Sequence, residues 1–326
     1  ILARAGYGCE LLPGYGLRRA SMTRRLMIPA VLAAGVARGF SILNSFRADV
    51  VLGTGGYASA AVVIAAILRR TPRVLQEQNS VAGLVNRRLA RFADLVLLAF
   101  AESAASLPRG ARTLVVGNPM RRLPHATRES AAARFSLTPA RRTVLVVGGS
   151  RGARSLNMAG ADAAARIAEE LDLQFLMLAG VADRAEVERR TASVSARVCV
   201  LEYLDDMQHA YTIADLAVAR SGASSVFELA AFGVPAILVP YPYAADAHQA
   251  GNAAPLARLG GARVLPDAEL DGGRLAREIE ELLSAPDRLA SMALAMKSWA
   301  TPDAADRAAD AILEVCKKKE PLRLAA

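Results

Sequence analysis

Nine short runs rich in Val, Leu, Ile and Ala recur along the chain, each followed by a polar or glycine-rich turn and a helical pattern. The predicted strands are 48–53, 73–76, 95–100, 113–117, 143–148, 174–179, 198–203, 216–220 and 236–240. Most are continuous apolar runs rather than alternations. That is the pattern of strands covered on both faces, which places them in parallel sheets flanked by helices. Strands alternating with helices read as βαβ units. The rhythm breaks between Pro119 and Arg142, where Pro119, Pro124 and Pro139 stand among several Arg residues. A boundary near 120 is therefore expected. The first domain covers 1–120, with the helical stretch 303–326 a candidate to pack back on it, and the second covers 121–302. The fold class is α/β, two Rossmann-like doubly wound domains facing a cleft, with ligands outside the carboxyl ends of the strands.

Composition narrows the function classes. The 326 residues exceed what one core usually holds, and 53% hydrophobic with 22% charged residues excludes a disordered chain. Aromatics are 5%, too few for a stacking platform on single-stranded nucleic acid, and no nucleic-acid reading motif is present, so no nucleic-acid partner is expected. Cys9, Cys199 and Cys316 lie too far apart for a metal spacing or a disulfide framework, which suits a reducing cytoplasm. The formal charge of +9 then points to phosphorylated small molecules or an anionic membrane surface.

Segment 18–47 bears on the membrane. Arg18, Arg19, Arg24, Arg25, Arg38 and Arg47 surround Leu26, Met27, Ile28, Val31, Leu32, Val36 and Phe40. This is either an amphipathic helix packing on its own sheet or an interfacial patch, and composition leans to the first. Pro29 and Arg38 interrupt the apolar run 26–46, so no spanning helix is expected.

Several strand ends carry candidate chemistry. The turn Gly148-Gly149-Ser150-Arg151-Gly152 and the turn Ser221-Gly222-Ala223-Ser224-Ser225 each lead from a strand into a helix, where free N–H groups and the positive dipole end can hold a phosphate. Either is equally a tight βα turn without a ligand. Glu228 can accept two hydrogen bonds from a ribose diol, although Ser225 to Glu228 also has capping-box spacing. His248 and Gln249, after the strand 236–240, can bond sugar hydroxyls, whereas His125 and His209 read as structural. In the first domain, Gly55-Gly56-Tyr57 and Glu77-Gln78-Asn79 end two strands of one sheet. Asn79 reads as a helix N-cap. Glu77 is expected to face the ligand, since a carboxylate without partners is costly to bury.

The segments VVLGTGGY (50–57), QEQNSVAGLVN (76–86), VGNPMR (116–121), VVGGSRGARSLN (146–157), YLDDM (203–207), RSGASSVFE (220–228) and DAHQAGNA (246–253), in this order, resemble the MurG family of bacterial transferases. The resemblance covers nearly the whole chain. It implies a GT-B fold and an inverting transfer of N-acetylglucosamine (GlcNAc) from UDP-GlcNAc to an undecaprenyl-linked acceptor in peptidoglycan synthesis, with neither metal nor cofactor. The enzyme would sit peripherally on the cytoplasmic face of the bacterial plasma membrane. By position, Arg121, Ser150, Leu204, Gly222, Ala223, Ser224, Ser225, Glu228, His248 and Gln249 match the donor side, with Leu204 reaching uracil through its backbone and Glu228 holding the ribose. Tyr57, Glu77, Asn79 and Asn157 match the acceptor side. Arg18, Arg19, Arg24, Arg25, Leu26, Ile28, Val31 and Leu32 match the membrane-associating face.

There are departures. Gln76 stands where the family usually has His, and Ala60 and Ala61 replace a Gly-Pro pair. The family's first strand, with its His-bearing glycine-rich loop and helix, is expected to be missing from the first domain. That leaves the catalytic base unassigned, with Glu77 as the one retained carboxylate to consider, and turnover by this chain is expected to be poor. The alternatives are another GT-B transferase acting on a glycolipid, or a non-catalytic nucleotide-sugar-binding protein.

Overall fold

The computed structural model describes residues 8–12, 22–121, 126–149, 153–244 and 247–317. Two compact units emerge, Ile1–Pro119 with Asp303–Ala326, and Met120–Pro302.

The first unit holds a parallel sheet in the order β1 (Val51–Gly53), β2 (Arg73–Glu77), β3 (Leu95–Leu98) and β4 (Thr113–Val115). Strand alternation splits its apolar residues between two cores. Leu75, Val96 and Leu98 pack with Leu43 of α1 (Met22–Phe46) and with Val63, Ala65 and Ala66 of α2 (Gly56–Arg69). Val74, Leu95 and Leu97 pack with Ala308, Ala311 and Val315 of the C-terminal helix Ala304–Lys317. Coverage on both faces explains why these strands read as unbroken apolar runs.

Helix α1 runs through Pro29 without a break. Its buried positions Gly35, Gly39 and Leu43 fall every four residues, a single stripe against α2. At Gly39 a Cβ would lie 3.4 Å from both Ala65 Cβ and Val62 Cα, so the missing side chain sets the close approach. Elsewhere among the described side chains of the helix, Met27 is 57% and Phe46 81% exposed, Leu32 and Phe40 are exposed, and Ile28 and Val31 are half-buried. Residues Met27–Phe46, with mean hydropathy 1.4, are long and apolar enough to cross a membrane by length and composition, contrary to the expectation of an interrupted run. Arg24, Arg25 and Leu26 lie in the first turns of α1, while Arg18 and Arg19 fall outside the described residues.

The second unit is a six-stranded parallel sheet of β5 (Arg142–Val147), β6 (Leu173–Leu178), β7 (Val198–Leu201), β8 (Leu216–Ala219), β9 (Ala236–Leu238) and β10 (Ala262–Val264), ordered β10-β9-β8-β5-β6-β7. All nine strands expected from the sequence are present. The tenth, β10, escaped notice because Arg263 sits at its centre and pairs with Glu278 and Glu281, so no apolar run marks it. Strand β5 pairs with both β6 and β8. The order reverses there, and the carboxyl ends of strands on either side of such a switch point leave a crevice for a ligand.

Candidate functional site

At that crevice the second unit has a cavity of about 440 Å³. Its wall comes from the carboxyl ends of four strands: Val147 and Gly149 at the end of β5, Leu178 and Gly180 at the end of β6, Glu202, Tyr203 and Leu204 after β7, and Gly222, Ala223, Ser224 and Ser225 after β8. Glu228, Met207 and Tyr211 complete it. Gly149 (φ 87°) and Gly180 (φ 74°), both at the cavity wall, adopt the left-handed conformation in which a Cβ is strained.

The β8 turn feeds α8 (Ala223–Phe232), whose N-cap is Gly222 and which has no side-chain cap. The first helical hydrogen bond runs from Val226 N to Gly222 O, 3.1 Å, which leaves the N–H groups of Ala223, Ser224 and Ser225 ahead of it. The helix starts before Ser225, so the capping-box alternative for Glu228 fails. Glu228 instead accepts a 2.6 Å hydrogen bond from the Tyr211 hydroxyl at Oε2. Burial raises its carboxyl above the usual range, opposed by that hydrogen bond and by the positive charge of Arg121. Burial raises the Tyr211 phenol well above its ordinary value, and the charge of Glu228 adds to this.

Of the donor-side residues named from the sequence, Leu204, Gly222, Ala223, Ser224, Ser225 and Glu228 therefore share one cavity, with Arg121 close enough to act on Glu228. Ser150 lies outside the described residues. His248 and Gln249 begin α9 (His248–Arg258), which is docked onto the same turn. Ser221 Oγ donates to Gln249 O at 2.8 Å, and Asn252 Nδ2 donates to Ser221 O at 3.1 Å. The Gln249 side chain is occupied, its Oε1 accepting from Tyr241 N at 2.8 Å. Arg220, buried just before the turn, ties it down through Val239 O, Ser155 Oγ and an ion pair with Asp267 at 2.6 Å. Sequence reasoning missed Met207 and Tyr211. The available signal was their spacing of four on α7 (Met207–Ile213), which puts both on the face that the YLDDM segment presents to the cavity.

The acceptor-side residues divide differently. Tyr57 lies in the first turn of α2, after Gly55 and Gly56, both at positive φ. Glu77 does not face a ligand: it is 2% exposed and closes its own loop. Its Oε1 accepts from Asn79 N at 3.0 Å and from Asn79 Nδ2 at 3.4 Å, and its Oε2 accepts from Gly83 N at 2.9 Å and from Asn86 Nδ2 at 2.8 Å. A carboxylate so fully used as an acceptor is poorly placed to take a substrate proton. Asn79 is not a helix N-cap, since α3 (Leu84–Leu89) starts later with Gly83 in that role. Asn157 sits in the second unit, 1% exposed, and donates to Ala179 O at 2.8 Å and Asp183 Oδ2 at 2.9 Å. It offers no surface to an acceptor, and it anchors the turn that carries Gly180.

Residues 143–308 match the glycosyltransferase family 28 C-terminal domain, and residues 1–98 match the family's N-terminal domain. A UDP-N-acetylglucosamine--N-acetylmuramyl-(pentapeptide) pyrophosphoryl-undecaprenol N-acetylglucosamine transferase of Rubrobacter xylanophilus is 40% identical, covering 96% of this chain and 90% of the relative. The enzyme of the same name from Moorella thermoacetica is 36% identical, covering 96% and 86%. Among solved structures, MurG of Acinetobacter baumannii superposes with a TM-score of 0.70 at 28% identity, over 88% of this chain and 79% of that one.

Proposed function

The chain belongs to the MurG family of glycosyltransferase family 28, and from that premise we propose how its residues divide the work of the reaction. The activity is transfer of GlcNAc from UDP-GlcNAc to undecaprenyl-pyrophosphoryl-MurNAc-pentapeptide, which converts lipid I to lipid II. An acceptor hydroxyl oxygen attacks the anomeric carbon from the face opposite the nucleotide. The bond from that carbon to the diphosphate oxygen breaks, UDP leaves, the acceptor hydroxyl gives up its proton to solvent, and the configuration inverts.

Negative charge then builds on the diphosphate. In our reading the free N–H groups of Ala223, Ser224 and Ser225 and the dipole of α8 receive it, with Arg121 adding a positive charge nearby. The carboxylate of Glu228 takes the ribose hydroxyls, and the backbone at Leu204 takes the uracil. His248 and Gln249 lie at the sugar end, with Gln249 acting as a brace for the loop at Tyr241. The observation that carries this assignment is the coincidence, in one cavity, of an uncapped helix start and a half-buried carboxylate. Incubation with UDP-[14C]GlcNAc and vesicles containing lipid I tests it. Label is expected in the lipid fraction, and label left wholly in nucleotide, under conditions where a MurG relative transfers it, would contradict it.

The acceptor's lipid chain stays in a bilayer, so the enzyme has to work at a surface. We assign that contact to α1, whose apolar side chains are exposed over most of its length, with Arg24 and Arg25 in its first turns and Arg18 and Arg19 just before it. The surface would be the cytoplasmic leaflet of the plasma membrane, where each Arg contributes roughly 1 kcal/mol of attraction to anionic lipid. Replacing Arg24 and Arg25 with Ser is expected to weaken pelleting with anionic vesicles about 30-fold and to leave UDP binding unchanged. Equal pelleting of variant and parent would reject this face.

A further inference from the structure

We propose that Tyr211 is a positioning residue for nucleotide recognition, its hydroxyl holding the Glu228 carboxylate in the orientation that presents it to a ribose diol. This rests on the reading of Glu228 as the ribose acceptor. Tyr211 is 3% exposed, and its hydroxyl lies 2.6 Å from Glu228 Oε2. Its ring packs on Phe232, with centroids 5.3 Å apart and planes inclined by 40°. Phe232 is the last residue of α8 and Glu228 lies one turn earlier, so the phenol is gripped by the helix whose glutamate it serves.

The chemistry of the pair explains why each needs the other. A buried phenol hydroxyl is costly without an acceptor, and Glu228 supplies one. Glu228 has a flexible side chain on a cavity wall, and without a fixed donor its carboxylate can rotate among several rotamers. With Oε2 held by Tyr211, Oε1 and the remaining lone pair of Oε2 have fixed directions, as recognition of two adjacent hydroxyls requires. The hydrogen bond also favours the ionised form of Glu228 against the push of burial. Tyr211 would thus act through Glu228, without itself touching the sugar.

Calorimetric titration with UDP and with 2′-deoxy-UDP isolates this role, because the ratio of the two affinities reports recognition of the diol. The parent protein is expected to prefer UDP. Tyr211→Phe, which keeps the ring, is expected to lower UDP affinity about 5–10-fold and 2′-deoxy-UDP affinity less than 2-fold, so that the preference largely disappears. Glu228→Ala should abolish the preference, and Tyr211→Phe added to Glu228→Ala should cost nothing further. The ratio is insensitive to partial misfolding, since an unfolded fraction lowers the stoichiometry for both ligands alike. Equal loss for the two nucleotides in Tyr211→Phe, or an intact preference, would overturn the role of Tyr211. An intact preference in Glu228→Ala would instead overturn the ribose assignment of Glu228 itself.

Discussion

Glu228→Ala is expected to weaken UDP-GlcNAc binding about 10²–10⁴-fold, measured by calorimetry, with a comparable drop in kcat/KM for transfer. A ribose diol donates two hydrogen bonds to the carboxylate, and hydrogen bonds to a charged group contribute about 1.5–3 kcal/mol each. The truncation also leaves the Tyr211 hydroxyl without its acceptor. Burial raises the Glu228 carboxyl, so nucleotide affinity should begin to fall at a higher pH than for an ordinary glutamate as the solution is acidified. Stability has the opposite sign. A carboxyl whose folded pKa is raised binds protons more tightly in the native state, so its contribution to stability is present below the unfolded value and is lost as pH rises through the folded one. Glu228→Gln is therefore expected to melt no lower than the parent at pH 7 while binding nucleotide poorly. Thermal melts of that variant separate recognition from folding.

The second large effect falls on the first unit. Glu77→Ala removes an acceptor of four hydrogen bonds and strands the donors of Asn79, Gly83 and Asn86 inside the loop. A loss of roughly 3–5 kcal/mol is expected, seen as a lower denaturant midpoint and as fast amide exchange at Asn79 and Gly83. Glu77→Gln discriminates between a structural and a proton-accepting role. Its amide NH2 would face backbone N–H donors, so a structural Glu77 predicts marked destabilisation by this near-isosteric change. A glutamate acting as a base would instead give a stable, inactive protein.

These residues show how far the sequence could be read. Buried parallel strands carry continuous apolar runs, so nine strands could be placed, whereas β10 has Arg263 in the middle of three residues and cannot be seen that way. The cavity wall from Gly222 to Glu228 was legible because glycine and small hydroxyl residues at a strand-to-helix turn have a specific use. Tyr211 was marked only by its spacing of four from Met207, and its partner Glu228, 17 residues along, is brought to it by the fold alone. Glu77 and Asn157 show the converse difficulty. A polar residue near a strand end or a glycine-rich turn looks the same in sequence whether it meets a ligand or closes the protein's own loop. Only the donors around Glu77 and the two acceptors around Asn157 reveal the second use. The apolar run of α1 was read as interrupted by Pro29 and Arg38, yet Met27–Phe46 lies within one continuous helix and keeps a mean hydropathy of 1.4.

In the proposed function the nucleotide occupies the crevice at the carboxyl ends of β5 to β8. A crystal structure of the protein with UDP-GlcNAc tests this most directly. The ribose hydroxyls are expected within about 3.2 Å of the Glu228 carboxylate, with the diphosphate against the first turn of α8. Nucleotide bound at any other place on the second unit, with Glu228 still paired only to Tyr211, would contradict it.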